Sequence, residues 1–190
     1  MASAYAKRLA NTAKKRYDLY RFHSEDDDPL KKQIKKYWTD LKLSFPGVST
    51  PWSAVFVSWC VKRAGATKPE FTFSPAHSVF VHDAIQNGLN QTGVFRAFPI
   101  DEYAPSLGDI IHNNRGGSKH SFDYARAHKN FSSHSAIVID VGVDGHGGYA
   151  MTIGGNESDS VRRKFVRLDN KGRIKQRISN PYIAVIQTLK

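Results

Sequence analysis

The residues of this chain best placed to do chemistry lie in Thr50-Pro51-Trp52-Ser53, where a small hydroxyl-bearing side chain stands at the entry from a loop into an apolar run. A group there meets the positive end of a helix dipole and backbone N–H groups that no preceding turn uses. Those are the parts of an oxyanion site, although Ser is also among the residues preferred simply to cap a helix. His134 opens the clearest strand-like run, after Phe131-Ser132-Ser133, so its imidazole can project from a sheet end toward a helix packed on it. The next such run ends in Gly154-Gly155-Asn156, whose amide can accept from an imidazole N–H and orient the ring. Nucleophile, base and orienting group in that order make the generalised triad of acyl transfer. With eight His in the chain, spacing alone admits other pairings.

Other chemistries find less support. Cys60, the only cysteine, lies seven residues after Ser53, on nearly the same helix face but about 10.5 Å deeper along the axis. That places it in the core, whereas a reactive thiol needs an exposed electropositive setting. His112, His120, His128 and His134 crowd one region, but no pair has the i,i+4 spacing of a zinc-binding helix and no Cys pair accompanies them, so no metal is expected. His77 and His82 are five apart and do not share a helical face. Asp109 suits the turn before its strand, and Arg115, in Arg115-Gly116-Gly117, suits a carboxylate of a peptide substrate. A phosphate-binding glycine loop and a dinucleotide fingerprint are both missing, so no cofactor is expected either.

The elements that must position these residues are legible as helices first and strands afterwards. Tyr5, Leu9, Ala13, Tyr17 and Tyr20 give an amphipathic helix over 2–22, and a second runs from about Pro29 to Leu43 behind the acids of Ser24–Asp28. Trp52–Gly65 is apolar on nearly all sides and predicts a buried central helix. A short helix follows around Ser78–Asn87. Gly108–His112, Ser135–Val141, Tyr149–Ile153, Val161–Leu168 and Tyr182–Leu189 are β-rich, with short connections that favour antiparallel hairpins. Asn113–Ser133 is a long polar insertion expected to be a surface loop bordering a site. At 190 residues the expectation is one α+β domain over 1–190. Its parts would be a helical segment at 1–45, the nucleophile helix and its successor at 46–104, and an antiparallel sheet at 105–190.

The run Pro51-Trp52-Ser53-Ala54-Val55-Phe56-Val57-Ser58-Trp59-Cys60, then Gly108-Asp109-Ile110, Ser133-His134-Ser135-Ala136-Ile137-Val138 and Gly155-Asn156, resembles the papain-like NlpC-type and CHAP cell-wall amidases. Within that clan the chain is most similar to domain of unknown function 2272 (DUF2272), which has Trp-Ser-Ala where its relatives have Trp-Cys-Ala. Pro75-Ala76-His77-Ser78, the Arg115 loop and Ile153-Gly154-Gly155-Asn156 with Val161 carry the same likeness, which extends from about residue 10 to about 185.

The resemblance implies a papain-like fold, with N-terminal helices packed on a central antiparallel β-sheet. It puts Ser53 in the nucleophile position, His134 in the general-base position and Asn156 in the third, polar position, with Trp52, His77 and Arg115 on the substrate side of the cleft. Several CHAP relatives carry an acidic residue two positions before the Asn, and here that place is Gly154. The implied activity is hydrolysis of an amide bond in peptidoglycan or its stem peptides, as an amidase or endopeptidase. A hydroxyl in a thiol's place needs the imidazole to take its proton during attack. The alternative is a catalytically silent module that binds peptidoglycan or a peptide or protein partner.

Composition sets the surroundings. The 28 Lys+Arg and 17 Asp+Glu give +11, divided as +5 over residues 1–42, 0 over 43–156 and +6 over 157–190. Basic ends around a neutral middle favour residence near an anionic polymer and do not make a reader of nucleic acid. The chain has no run of ~18 apolar residues, and its first residues lack an apolar signal region. It is therefore expected to be made in the cytoplasm without a transmembrane segment, reaching a periplasm or wall only by lysis or a non-classical route. A phage lysis protein and a delivered antibacterial toxin both fit, the toxin with a cognate immunity protein.

Overall fold

Residues 2–190 are described by the structure, a computed structural model. Side chains recurring every three or four residues make Ala4–Tyr20 (α1) a helix that buries Tyr5, Leu9 and Ala13, with the Ser3 hydroxyl accepting from Ala6 N at its start. Asp28–Asp40 (α2) opens with Asp28 and Pro29 in its first turn and buries Leu30, Ile34, Tyr37 and Trp38. Ser53–Ala64 (α3) has ten of its twelve residues buried, as its largely apolar sequence requires, and ends at Gly65. His77–Asn90 (α4) follows, longer than its apolar pattern predicts.

The strands are Phe95–Pro99 (β1), Ile110–Asn114 (β2), Ser133–Asp144 (β3), Gly147–Glu157 (β4), Ser160–Arg167 (β5) and Tyr182–Thr188 (β6). They form one open sheet in the order β1-β6-β2-β3-β4-β5, with every neighbouring pair antiparallel. Two elements differ from the sequence reading. β1 lies within the stretch assigned only helices, as an edge strand ending at Pro99, whose missing N–H an edge tolerates. The insertion after Asn113 is not all loop: Phe122–Ala127 (α5) forms a short helix capped by Ser121, whose hydroxyl accepts from Tyr124 N.

The sheet is covered on both faces. Ile110, Ile137, Ile153 and Ile186 pack with the helices in the larger core, while Ile111, Val138, Val166 and Val185 pack with Leu168 and Ile174 on the other side. Ile137 is fully buried between β2 and β4, and its replacement by Ala would cost about 2–5 kcal/mol. The helix that carries Ser53 meets the sheet where β4 is bare. A Cβ at Gly155 would fall 2.6 Å from Trp52 Cζ3 and 2.7 Å from Phe56 Cβ, so only glycine lets α3 come this close.

Candidate active site

Ser53 is the first residue of α3, and Trp52, not Ser53, occupies the capping position, with no side-chain capping bond. The capping role open to Ser53 from its sequence is therefore not the one its hydroxyl plays. Its Oγ lies 2.7 Å from His77 Nε2. The first helical hydrogen bond runs from Phe56 N to Trp52 O, so the helix makes no use of the N–H groups of Ser53, Ala54 and Val55. His77 in turn is the first residue of α4, entered through Pro75-Ala76. Two helix starts thus bring a hydroxyl and an imidazole together.

Both groups are buried, Ser53 at 1% and His77 at 5% exposure. Burial holds the His77 imidazole well below its usual pKa, and positive charge at His134, His112 and Arg115 would press it the same way. The ring is therefore neutral at physiological pH and able to accept a proton from Ser53. Its Nδ1 is buried and has no hydrogen-bond partner among the described residues.

His134, the second residue of β3, stands opposite Asn113 of β2. Its ring centroid is 5.3 Å from that of His77, with the planes inclined by 59°. His134 Nε2 is 2.8 Å from Glu157 Oε1, and Lys164 Nζ is 2.7 Å from Glu157 Oε2. Burial would raise the Glu157 carboxyl, but the hydrogen bond and charge of His134 and the Lys164 ammonium outweigh it and hold the pKa below the usual value. Behind these rings His112 is fully buried against Ser135 Oγ at 2.8 Å, and burial drives its pKa down to about 3.

Asn156 does not orient either imidazole. Its amide donates to Glu25 Oε2 at 2.9 Å, and the Trp52 indole N–H donates to the same oxygen at 2.8 Å. The carboxylate at His134 is Glu157 instead, and the local backbone explains the exchange. Regular alternation would keep Gly154 and Asn156 on one face of β4. A register shift between Gly154 and Glu157, with Asn156 in the left-handed region at φ 55°, turns Glu157 onto the face of Gly154. There it fills the space of an absent side chain: a Cβ at Gly154 would collide with Glu157 Oε1 and fall 2.9 Å from His134 Nε2.

Glu25 and Glu157 are the site residues that sequence reasoning did not single out. Glu25 sits in an acidic run that reads as the prelude to a helix, and nothing local signals its reach to residues 52 and 156. For Glu157 a signal existed, since the empty acidic position at Gly154 called for a replacement nearby.

Arg115 follows β2 and borders two hollows. One, of about 420 Å³, is lined by Pro51, Ser53, Pro75, His77, Phe131 and Ser132 among others. The other, of about 340 Å³, is lined by His134, Asn156, Glu157 and their neighbours. Trp52 is fully buried and stacks on Tyr37 at 6.2 Å between centroids, so it shapes the start of α3 and does not line either hollow. Cys60 is fully buried as well, and burial pushes its thiol far up. Among the described residues no group of three or more His, Cys, Asp or Glu side chains could hold a metal ion, and no helix is long and apolar enough to cross a membrane.

This arrangement has the elements of acyl transfer: a hydroxyl at a helix start, a neutral imidazole in hydrogen-bond contact and unused N–H groups beside it. The family described as "Uncharacterized protein conserved in bacteria (DUF2272)" matches residues 15–184. No curated protein and no solved structure matches the chain.

Proposed function

The chain belongs to the DUF2272 family, and on that footing we propose that it is a papain-like hydrolase of the NlpC and CHAP type that cleaves an amide bond of peptidoglycan stem peptides or cross-links through Ser53. The observation that carries the reading is the 2.7 Å contact between Ser53 Oγ and His77 Nε2 at the N-terminus of α3. The helix packed on an antiparallel sheet, with His134 at the start of the neighbouring strand, supports the papain-like assignment.

In the proposed mechanism His77 takes the Ser53 proton as Oγ attacks the carbonyl carbon. The N–H groups of Ser53 and Ala54 stabilise the oxyanion, and the protonated His77 gives its proton to the leaving amine. Water, deprotonated by the same ring, then attacks the acyl carbon, and the ring returns the proton to Ser53 Oγ as it leaves. His134 is the second ring of the site, and Glu157 behind it holds that ring in place beside His77. Glu25 holds Trp52 and Asn156 and so fixes the start of α3. The basic ends keep the protein near anionic wall polymers. A phage lysis protein or a delivered antibacterial toxin, the latter with an immunity protein, would use such an activity.

The test is purified protein on isolated peptidoglycan, wild type beside Ser53→Ala, His77→Ala and His134→Ala. Muropeptide release by the wild type that is lost in Ser53→Ala is the expected result, and equal release from all four proteins would sink the mechanism. The 1% exposure of Ser53 and a His77 Nδ1 with no partner among the described residues favour a second reading, a silent module that binds wall peptides without turnover. It prevails if the wild type binds peptidoglycan without cutting it and Ser53→Cys creates an activity.

A further inference from the structure

The hollow on the His134 side of Arg115 has a chemistry that the hydrolytic steps leave unused. Three cations line it, Arg115, Lys164 and Arg177, against one carboxylate, Glu157, an excess of two positive charges. Glu157 is already engaged by Lys164 and His134. Neither arginine has a carboxylate partner among the described residues. Arg177 is held ready: its Nε donates to Asn180 O at 3.0 Å and its guanidinium lies 4.3 Å from the centroid of the Tyr182 ring. A guanidinium fixed by its Nε and an aromatic face keeps its remaining N–H groups free for a planar, two-oxygen acceptor.

The rest of the lining decides what kind of anion fits. Asn113 and Asn156 each spend their amide N–H on a protein acceptor, Asn114 O and Glu25 Oε2 respectively. Their Oδ1 atoms make no hydrogen bond among the described residues and are acceptors for a ligand's N–H. Asn180 is the reverse: its Oδ1 accepts from Gly117 N, leaving its amide N–H groups for a ligand's carbonyl. A phosphate or polyphosphate has no N–H for the two asparagine oxygens, whereas a peptide carries both N–H and C=O. A volume of about 340 Å³ is within the range of small-ligand sites and suits one or two residues.

We propose that this hollow is a recognition subsite for a peptide bearing a free carboxylate beside the scissile amide, with Arg115 and Arg177 holding the carboxylate and Asn113, Asn156 and Asn180 the peptide backbone. The proposal deepens the hydrolase reading and rests on it for the direction of the chain: Arg115 borders both hollows, so a peptide seated here continues past it toward Ser53. The specificity-determining residues are then Arg115 and Arg177, on the loops after β2 and before β6.

Binding is measured by calorimetry in the full chain carrying Ser53→Ala, so that no turnover intervenes. The probes are acetyl-Ala-Glu-Ala amide, its Gln counterpart, and inorganic phosphate. The Glu peptide should bind about tenfold or more tightly than the Gln peptide, the effect of a charge-assisted pair. Adding Arg177→Gln, an exposed position that leaves the core intact, should abolish that preference. Equal binding of the two peptides, binding of neither, or tighter binding of phosphate than of the Glu peptide overturns the proposal. The two readings fail separately. A Glu preference in a protein whose wild type releases no muropeptides removes the hydrolase and keeps the subsite, whereas muropeptide release without that preference does the opposite.

Discussion

The two histidines nearest the start of α3 divide between them what one imidazole holds in a triad. His77 has the nucleophile and no orienting acid: Ser53 Oγ is on its Nε2 and its buried Nδ1 has no partner among the described residues. His134 has the acid and no nucleophile, with Glu157 on its Nε2 and Lys164 beyond. His77 lies in the helical half, buried and neutral, while His134 lies on the sheet, beside charge and the hollow lined by Asn156 and Glu157. The contrast teaches that the proton acceptor and the carboxylate are assigned to different elements here. The proton moves between two buried groups, and the carboxylate of a triad is kept one ring away.

The largest effect expected from breaking this division is on the rate. His77→Ala removes the imidazole bonded to Ser53 and should lower kcat for muropeptide release by about 10⁴-fold, near the loss from Ser53→Ala. His134→Ala removes a ring that acts through another and should cost about 10–10²-fold. Kinetics of the two variants on one peptidoglycan preparation make the comparison, and a larger loss at His134 would reverse the roles.

The next effect tests the replacement of an acid at 154 by Glu157. Gly154→Ala puts a Cβ into the Glu157 carboxylate and should force it off His134. Activity should fall to the level of His134→Ala, and thermal unfolding should show a loss of about 1–3 kcal/mol from overpacking. Glu157→Gln keeps the shape and removes the charge, so a rate loss there without the full stability cost would separate charge from packing.

That substitution also marks where the sequence stops being readable. The buried helix at Ser53, the strand begun by His134 and the antiparallel sheet follow from local pattern, because apolar period and turn residues act within a few positions. What was not legible depends on the backbone leaving its period. The bulge between Gly154 and Glu157 exchanges Asn156 for Glu157, and no periodicity announces it. His77 was legible as a residue of the cleft but not as the partner of Ser53, because that contact joins two helix starts 24 residues apart. Glu25 is further still, 131 residues from the Asn156 it holds. β1 was hidden by its shortness and its terminal Pro99.

A smaller effect sharpens the neutral character of the His77 side. His77 and His112 are neutral in the fold but protonate in the unfolded chain below its histidine pKa of about 6.5. Their lowered values give stability that is full above that pH and is lost as pH falls below it. Asp109 works in the other direction: burial raises its pKa to about 6, so its carboxyl is protonated in the fold sooner than in the unfolded chain and stability rises as pH drops from 6 toward 4. His82 is lowered as well, by its partial burial, so three imidazoles outweigh one carboxyl and stability falls on balance as pH drops from 6 toward 4. The melting temperature should therefore fall as pH is lowered through that window. In His77→Gln the loss should shrink, and an unchanged slope would mean that His77 is not held neutral by the fold.

The smallest expected effect concerns the brace that keeps Ser53 on the His77 side. Glu25 accepts at one oxygen from both the Trp52 indole and the Asn156 amide, tying the connection between α1 and α2 to the first turn of α3 and the end of β4. Glu25→Gln preserves the shape and an acceptor oxygen but removes the charge that strengthens both bonds. The cost to folding should be about 1 kcal/mol, read by denaturant unfolding. If the brace acts on the site as well, kcat should fall several-fold with KM unchanged, and Glu25→Asp, which is too short to span both donors, should lose more than Glu25→Gln. A stability loss with no change in kcat would confine Glu25 to holding the fold, and would leave the placement of Ser53 to the packing of Gly155 against Trp52 and Phe56 alone.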